Sequence, residues 1–333
     1  MPATPVWNLN PDDPNAETIR QAANLLVAGE LVAFPTETVY GLGANALDAH
    51  AVAKIFLAKG RPSSNPIIVH IPDVDTVGMV TAVWPKVAVK LAEQFWPGPL
   101  TLVLQRNPRI PDIVTAGGET VGVRCPDNTI ARALIRAAGV PIAAPSANRS
   151  MELSPTRAEH VLKSLDGRIA AILDGGPCRG GIESTVLDLT EDVPRLLRPG
   201  LISLGMLEAV VGEIRGSTTT AGPSRSPGQM AKHYSPRTPL VLANGKAEVE
   251  RFQIEMRERG LRIACVNISG EPAEYAETLY AILHELDCGH YDFIIVEMPP
   301  DKPEWAAVQD RLTRAAALTH AAQTDTFMNG TTC

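Results

Sequence analysis

Short apolar runs alternate with longer amphipathic segments over the first two thirds of the chain. Apolar runs bounded by Pro, Gly or Ser are typical of buried strands. The pattern predicts strands at LVAFPT, PIIVHI, LTLVLQ, TVGVRC, PIAAPS, AAILDG, STVLDL and PRLLRP. Amphipathic periodicity predicts helices near 49–59 and 85–95 and over ARALIRAAG, which ends at Gly139, a residue suited to a helix C-terminus. Many short strands with fewer helices favour a mixed α/β sheet.

A segment rich in Ser, Thr, Gly and Pro, RGSTTTAGPSRSPGQMAKHYSPRTP, interrupts this pattern and predicts a linker. Beyond it the chain reads strand PLVLA, helix 246–259, strand RIACVNI, helix 272–286, strand DFIIVEM and helix 304–317. This order favours a small, parallel, Rossmann-like domain. We therefore predict a first domain over 1–214, a linker over 215–238 and a second domain over 239–333.

The composition limits the classes of protein that fit. The chain has 333 residues, enough for two packed domains, and its net charge of -7 argues against binding nucleic acid by charge alone. Five scattered cysteines without a C-x-x-C pair indicate reduced thiols. No apolar run reaches the roughly 20 residues of a membrane span, and MPATPVWNLN lacks a signal pattern. We therefore expect a cytoplasmic protein without membrane contact.

The segment FPTETVYGLGANA carries more polar groups than the end of a strand needs. A chain that leaves a strand requires only Pro or Gly to turn, yet Thr36, Glu37, Thr38 and Tyr40 are grouped here. We interpret the segment as a ligand-binding turn, in which paired glycines let the backbone come close.

A second polar segment, AKGRPSSNP, groups cations with short hydrogen-bonding side chains. Lys59 and Arg61 flank Gly60, and Ser63 follows. Such a loop suits a polyphosphate, whose charge needs several donors. A structural explanation is also open, because cations near a glycine cap complement the helix dipole.

Three strand residues add further candidates. Arg124 shares a strand face with Gly122 and Thr120, where a glycine leaves room for a ligand and a buried arginine needs an anion. His70 in IIVHI and Arg198 in LLRPG are further candidates for ligand binding. A structural role is open for both, because His70 could simply be packed in the sheet and Arg198 could simply mark the end of a strand.

Hydroxyl and amide side chains complete the set. AAPSANRSMELSPT contains Ser146, Asn148 and Ser154, and the glycine-rich LDGGPCRGGIEST ends with Ser184. The sequence has neither G-x-x-x-x-G-K-[ST] nor G-x-G-x-x-G, and no Ser/His/Asp or Cys/His set typical of a nucleophile system. Hydroxyls, amides and cations favour a site that orients anionic groups without a covalent intermediate, as in direct attack on a phosphate of ATP.

In this order, FPTETVYGLGANA, AKGRPSSNPIIVHI, WPGPLTLVL, TVGVRCP, PIAAPSAN, SPT, DGG, ESTVLDL and LLRPG resemble the threonylcarbamoyl-AMP synthase family over 10–205. SPGQMAKHYSP and the tail resemble the two-domain branch of that family. The resemblance implies an open, twisted, mixed α/β sheet of the YrdC-like type with a concave cavity, plus the smaller Rossmann-like C-terminal domain.

The resemblance also implies the activity, which is that of a nucleotidyltransferase. Members of the family make threonylcarbamoyl-AMP and pyrophosphate from L-threonine, bicarbonate and ATP, with Mg²⁺ on the triphosphate. A separate transferase complex then passes the threonylcarbamoyl group to tRNA, so direct tRNA binding by this chain is expected to be weak or absent.

Matching motifs assign residues to the two substrates. For ATP they are Lys59, Arg61, Ser63, Thr120, Ser146, Asn148, Ser154, Arg198 and Tyr234. For threonine they are Thr36, His70, Arg124, Ala144 and Ser184, with Arg124 on the carboxylate. Lys59, Arg61 and Arg198 would stabilise the departing pyrophosphate, and no residue is assigned as a general acid or base or as a protein metal ligand. Ala231 stands where the family often has an aromatic, which predicts weaker closure of the linker.

Two other functions stay open on the sequence alone. One is a non-catalytic, RNA-binding translation factor, against which the net charge counts. The other is a carbamoyl-adenylate-forming enzyme of hydrogenase maturation, a class that usually carries zinc-finger and acylphosphatase modules unlike anything in this sequence.

Overall fold

The computed structural model describes residues 3–216 and 234–316, which form two compact units. The first unit contains 3–150 and 154–216, and the second contains 151–153 and 234–316. Most of the predicted linker and the chain beyond residue 316 lie outside the described residues. The predicted domain boundaries therefore stay predictions.

Ten strands form one mixed sheet within the part of the first unit that is described. Along the chain they are β1 (Val6–Asn8), β2 (Val32–Phe34), β3 (Gly41–Asn45), β4 (Val69–His70), β5 (Leu100–Gln105), β6 (Thr120–Arg124), β7 (Ile142–Ala143), β8 (Ala171–Asp174), β9 (Thr185–Asp188) and β10 (Arg195–Arg198). Their spatial order is β1-β8-β2-β3-β7-β4-β6-β5-β9-β10. β1–β8, β2–β8, β4–β6 and β5–β9 are parallel pairs and the other neighbours are antiparallel. The predicted mixed α/β fold is confirmed.

Several of the seven helices described in the first unit begin or end at residues that cap them. They are α1 (Ala16–Val27), α2 (Ala49–Lys59), α3 (Lys86–Phe95), α4 (Asp112–Thr115), α5 (Thr129–Ala138), α6 (Ala158–Leu165) and α7 (Leu204–Val211). The side chains of Asn15 and Asn128 accept hydrogen bonds from the first turns of α1 and α5. α2 and α5 end at Gly60 and Gly139 in the left-handed conformation, as predicted for Gly139.

Helices cover the sheet on both faces. Along β2, Ala33 belongs to one core cluster, whereas Val32 and Phe34 belong to another, because successive side chains of a strand point to opposite faces. α1 and α5 pack against each other over the second cluster. Apolar residues of α2, α3 and α6 contribute to the first, larger cluster. The loops that connect the strands are thereby held on a rigid support.

Five elements of the first unit were not among those predicted, namely α1, α4, α7, β1 and β3. The strand β3 was missed because glycines at 41 and 43 weaken the strand signal. A Cβ atom on Gly43 would lie 2.9 Å from Cε1 of Phe34 and 3.0 Å from Cγ2 of Ile142. Glycine is therefore required here by the close packing of neighbouring side chains.

The second unit contains three parallel strands and three helices among its described residues. They are β11 (Leu240–Ala243), α8 (Lys246–Glu258), β12 (Ile263–Val266), α9 (Pro272–Leu286), β13 (Phe293–Glu297) and α10 (Ala306–Ala316). The predicted alternation of strands and helices is confirmed, and the order β11-β13-β12 places the last strand at the centre. Among the described residues, no helix combines the length and the apolar character that crossing a membrane requires.

Candidate functional site

The turn that follows β2 is organised by the hydroxyl group of Thr36. Its Oγ1 atom accepts hydrogen bonds from the N–H groups of Thr38 and Val39, at 3.2 Å each, and donates to the carbonyl oxygen of Val39 at 2.6 Å. Thr36 is buried. A hydroxyl group that bonds three backbone groups fixes the local conformation, so the backbone on both sides of Glu37 has a defined shape.

Tyr40 connects this turn to the loops that follow β7 and β8. Its backbone N–H donates to Pro155 O and its carbonyl accepts from the N–H of Ala147, both at 2.8 Å. Its phenol donates to Gly176 O at 2.7 Å and accepts from the N–H of Gly175 at 3.3 Å. Burial is the main cause that raises the pKa of Tyr40 above its usual value, so the phenol remains protonated and neutral.

Glycines bring the loops of the site close together. The N–H of Gly180 donates to Glu37 O at 2.7 Å, and a Cβ atom on Gly180 would lie 2.9 Å from that oxygen. At Gly200, a Cβ atom would lie 2.4 Å from the N atom of Thr185 and 2.7 Å from the C atom of Ser184. These glycines are therefore required for contacts between loops of the protein itself.

A buried ion pair lies beside the predicted threonine-binding residues. His70 and Arg124 are register partners on β4 and β6. Nη2 of Arg124 lies 2.7 Å from Oε2 of Glu37, and Nε donates to Gly98 O at 3.3 Å. Burial and then the charge of Arg124 lower the pKa of His70 to about 3, so its imidazole is neutral at neutral pH. His70, Arg124 and Glu37 thus form one group at the ends of β4 and β6.

Lys59 reaches from the end of α2 to the loop that follows β7. Its Nζ donates to Ser146 O at 2.6 Å and to Asn148 O, and its own carbonyl accepts from the N–H of Ser150 at 2.8 Å. Lys59 is almost fully buried. The structure therefore brings together Lys59, Ser146 and Asn148, three of the residues predicted to bind ATP.

A second contact network surrounds the start of β9. Nε of Arg198 donates to Ser184 O at 3.0 Å and Nη2 donates to Ser184 Oγ at 3.1 Å. Ser184 Oγ lies 2.8 Å from Oγ1 of Thr101, and the hydroxyl of Ser154 donates to Oε1 of Glu183 at 2.5 Å. A residue predicted for threonine, Ser184, is therefore in direct contact with one predicted for ATP, Arg198.

Gly122, which precedes Arg124 by two residues on β6, is packed closely against neighbouring strands. A Cβ atom there would lie 3.2 Å from Cγ2 of Thr101 and 3.4 Å from Cγ1 of Ile68. The absence of a side chain therefore accommodates Thr101, which in turn contacts Ser184. The expectation that Gly122 leaves room for a ligand stays a prediction.

Four other predicted residues of the first unit lie between α2 and β4, on β6 and after β7. Arg61 is buried and its Nε donates to the carbonyl of Asn65 at 3.4 Å. Ser63 is exposed, Thr120 is half-buried at the start of β6, and Ala144 is buried directly after β7. Their assignment to ATP or threonine stays a prediction.

Tyr234 belongs to the second unit. Its ring centroid lies 5.8 Å from that of Tyr280, and the guanidinium carbon of Arg311 lies 5.4 Å from the ring of Tyr234. Tyr234 and Arg311 are both buried. The predicted contact of Tyr234 with ATP stays a prediction.

Three buried polar residues of the polar segments were not assigned to either substrate. Glu37 and Glu183 each take part in a contact with a predicted site residue. The side chain of Asn65 is also buried, and neither of its polar atoms has a hydrogen-bond partner among the described residues. Their sequence positions were informative, because Glu37 stands between two threonines and Glu183 directly precedes Ser184.

The first unit combines buried cations and hydroxyl groups with cysteines that stay protonated. Burial raises the pKa of the Cys178 thiol to about 12 and that of Cys125 to about 11, so neither is a thiolate at neutral pH. Within the described ranges, no cluster of three His, Cys, Asp or Glu side chains could hold a metal ion. Fold and site together define a class: a mixed-sheet α/β protein whose connecting loops carry buried cations and hydroxyls suited to anionic ligands.

Comparison with known families agrees with this class. Residues 24–200 match the Sua5/YciO/YrdC family, described as telomere recombination. Residues 202–317 match the family described as threonylcarbamoyl-AMP synthase, C-terminal domain. The chain belongs to the threonylcarbamoyl-AMP synthase family and has the two-domain architecture predicted from its motifs.

Individual relatives are similar over almost the whole chain. The threonylcarbamoyl-AMP synthase of Bacillus subtilis is 45% identical, over 92% of this chain and 94% of that protein. The protein of the same name from Schizosaccharomyces pombe is 34% identical, over 92% and 90%. The crystal structure of P. abyssi Sua5 complexed with L-threonine superposes with a TM-score of 0.90 at 40% identity and covers 94% of this chain and 98% of that one.

Proposed function

We propose that this protein is an L-threonylcarbamoyladenylate synthase, which forms threonylcarbamoyl-AMP and pyrophosphate from L-threonine, bicarbonate and ATP. The proposal rests on family membership together with one structural observation. The observation is the contact of Arg198, assigned to ATP, with Ser184, assigned to threonine, through two hydrogen bonds. Two substrates that react with each other have to be bound side by side, and contact between the residues assigned to them supports such an arrangement.

The proposed chemistry has two steps. The ammonium group of threonine loses a proton, and the resulting amine and bicarbonate form a carbamate with loss of water. A carbamate oxygen then attacks the α-phosphorus of ATP, the bond between that phosphorus and the bridging oxygen breaks, and pyrophosphate leaves. Mg²⁺ enters with ATP as part of the substrate and reduces the negative charge of the triphosphate.

The cations of the site have assigned parts in this reaction. Lys59, Arg61 and Arg198 are all buried, and a buried cation interacts more strongly with developing negative charge than an exposed one. We assign them to the triphosphate and to the departing pyrophosphate. Arg124 is assigned to the carboxylate of threonine, since a guanidinium group can bind a carboxylate through two parallel hydrogen bonds.

The product of this reaction is a mixed anhydride, so a second enzyme has to consume it. We assign that step to a transferase complex that passes the threonylcarbamoyl group to tRNA. ATP and tRNA are both available in the cytoplasm, and we place the reaction there.

The test is mass spectrometry of the full chain incubated with ATP, MgCl₂, bicarbonate and L-threonine, with each component omitted in turn. Threonylcarbamoyl-AMP and pyrophosphate are expected in the complete mixture alone. Incubation with L-serine in place of threonine measures the selectivity for the amino acid.

Other outcomes would favour the alternatives. Carbamoyl-AMP formed without threonine, when carbamoyl phosphate is supplied in place of bicarbonate as the carbamoyl donor, would favour the maturation enzyme. No adenylate in any mixture, together with tight and strongly salt-dependent RNA binding, would contradict catalysis and favour the translation factor.

A further inference from the structure

One buried carboxylate near Arg124 has hydrogen-bonding capacity that the protein does not use. The side chain of Glu37 is 7% exposed. Among the described residues, neither Oε1 nor Oε2 has a hydrogen-bond partner of acceptable geometry, although Oε2 lies 2.7 Å from Nη2 of Arg124. An ionised carboxylate can accept about four hydrogen bonds. Burying one without using that capacity is costly, so its position calls for an explanation.

Arg124 is in a similar situation. Its Nε donates to Gly98 O, but Nη2 makes no hydrogen bond of good geometry within residues 3–216 and 234–316. A guanidinium group has five N–H donors in a fixed planar arrangement. The two side chains therefore compensate each other's charge but leave each other's hydrogen-bonding positions open.

The residue that lies opposite Arg124 adds no charge to this pair. His70, opposite Arg124, has a pKa lowered to about 3 and is neutral at neutral pH. Gly180 bonds the backbone carbonyl of Glu37, which fixes the position of the residue without using its carboxylate. The result is an anion and a cation side by side, held by a fixed turn and by a strand end.

We propose that Glu37 binds the α-ammonium group of the amino-acid substrate while Arg124 binds its carboxylate. The inference rests on the proposed function and deepens it, because it makes Glu37 a determinant of specificity for α-amino acids. An amino acid carries the same two charges on neighbouring carbon atoms, so it can offer an acceptor to Arg124 and donors to Glu37. Substrate binding then supplies the hydrogen bonds that the two side chains lack.

A structural alternative makes a different prediction. If Glu37 only keeps Arg124 in place, its removal lowers the affinity for every ligand that binds Arg124, whether or not the ligand has an amino group. If Glu37 binds the ammonium group, its removal lowers the affinity only for ligands that possess an ammonium group. The two roles are therefore separated by a pair of ligands and do not depend on loss of activity.

The experiment measures the affinity of the full-length protein for L-threonine and for 3-hydroxybutanoate of the same configuration at the hydroxyl carbon, by calorimetry. The second ligand keeps the carboxylate, hydroxyl and methyl groups and lacks the ammonium. The variants are Glu37→Gln and Glu37→Asp. Glu30→Gln is the matched control, because Glu30 forms an exposed ion pair with Lys54.

For the wild-type protein and Glu30→Gln, we expect a clear preference for L-threonine. Glu37→Gln should lower the affinity for threonine by about 10- to 100-fold, the range for a hydrogen bond to a charged group, and leave the affinity for 3-hydroxybutanoate unchanged or higher. Glu37→Asp keeps the charge and should retain part of the preference for threonine over 3-hydroxybutanoate. This variant serves as the test if Glu37→Gln does not fold.

Two results would overturn the inference while the proposed function stands. One is an equal loss of affinity for both ligands in Glu37→Gln. The other is a wild-type protein that makes threonylcarbamoyl-AMP but binds both ligands equally well. A wild-type protein that neither binds threonine nor makes the product in the complete reaction mixture contradicts the proposed function itself, and the inference with it.

Discussion

Arg198 donates hydrogen bonds to both the backbone oxygen and the hydroxyl group of Ser184, at 3.0 and 3.1 Å. Ser184 directly precedes β9, and Arg198 is the last residue of β10, which pairs with β9 in antiparallel orientation. Through Ser184 Oγ the contact continues to Thr101 on β5. A displacement of Arg198 therefore changes the position of a residue assigned to threonine as well as the charge offered to ATP.

This relationship predicts a combined defect in Arg198→Lys. Lysine keeps the charge but has no planar arrangement of donors, so the apparent KM for threonine and for ATP should both rise. Arg198→Ala should in addition lower kcat by about 100-fold or more, the effect of removing one group that stabilises charge in a transition state. Release of pyrophosphate at varied concentrations of each substrate measures both effects.

The matched control is Arg195→Lys, on the same strand, where the arginine forms an ion pair with Glu191 at 2.9 Å. Its kinetic constants should stay close to those of the wild type. A rise in the KM for ATP alone in Arg198→Lys would show that the contact with Ser184 does not couple the two substrates.

Gly200→Ala tests the close approach of the loop after β10 to the start of β9. The new Cβ atom would lie 2.4 Å from the N atom of Thr185 and 2.7 Å from the C atom of Ser184. Because backbone atoms cannot move aside cheaply, we expect a loss of about 1–3 kcal/mol in the free energy of unfolding and weaker binding of threonine. Urea denaturation and calorimetry measure the two quantities.

Gly205→Ala provides the comparison for that variant. Gly205 lies in α7, and a Cβ atom there would meet no heavy atom within 4 Å. Alanine has a higher helix propensity than glycine, so the free energy of unfolding of this variant should rise by up to about 1 kcal/mol. Its affinity for threonine should equal that of the wild type. Equal behaviour of the two variants would contradict the role assigned to the close contact at Gly200.

Local sequence signals predicted the bounds of helices better than the contacts between residues of the site. Gly139 was recognised as the end of a helix because a left-handed C-terminal residue is nearly always glycine. The helix over Pro272–Leu286 has the predicted bounds, and Pro272 at its first position restricts the start. These features depend on residues that are neighbours in the chain.

Contacts between distant segments could not be predicted in this way. The pairing of Glu37 with Arg124 and the packing of Thr101 against Gly122 join segments far apart in sequence. A glycine that serves protein packing looks identical in sequence to one that makes room for a ligand. The family resemblance predicted which residues belong to the site, but only coordinates show which of them are in contact with each other.

The cysteines provide a test of burial in the first unit. Burial raises the pKa of Cys125 and Cys178 to about 11 and about 12, whereas Cys288 is exposed in the second unit. Treatment of the native protein with iodoacetamide at pH 8 should therefore modify Cys288 within minutes and leave Cys125 and Cys178 unmodified.

Peptide mass spectrometry after the reaction gives the extent of modification at each of these sites. The same treatment in concentrated urea should modify all three, which controls for the intrinsic reactivity of each peptide. Rapid modification of Cys178 in the native protein would show that the segment between β8 and β9 opens readily.

His70 predicts how the stability of the first unit depends on pH. In the folded protein its pKa is lowered to about 3, first by burial and then by the charge of Arg124, whereas an unfolded chain has a histidine pKa of about 6.5. Between these values the unfolded state binds a proton that the folded state does not. The contribution of His70 to stability is therefore complete above pH 6.5 and is lost progressively as the pH falls toward 3.

The slope assigned to His70 alone approaches about 1.4 kcal/mol per pH unit. Urea denaturation from pH 7.5 to pH 4.5 should show this slope in the wild type and lack it in His70→Gln, which places an uncharged side chain on the same strand. His50→Gln is the control, because His50 is exposed at the start of α2 and its removal should leave the profile unchanged. Parallel profiles for the wild type and His70→Gln would mean that His70 becomes protonated in the folded protein as easily as in the unfolded chain, and that the pair of Glu37 and Arg124 is more hydrated than its burial indicates.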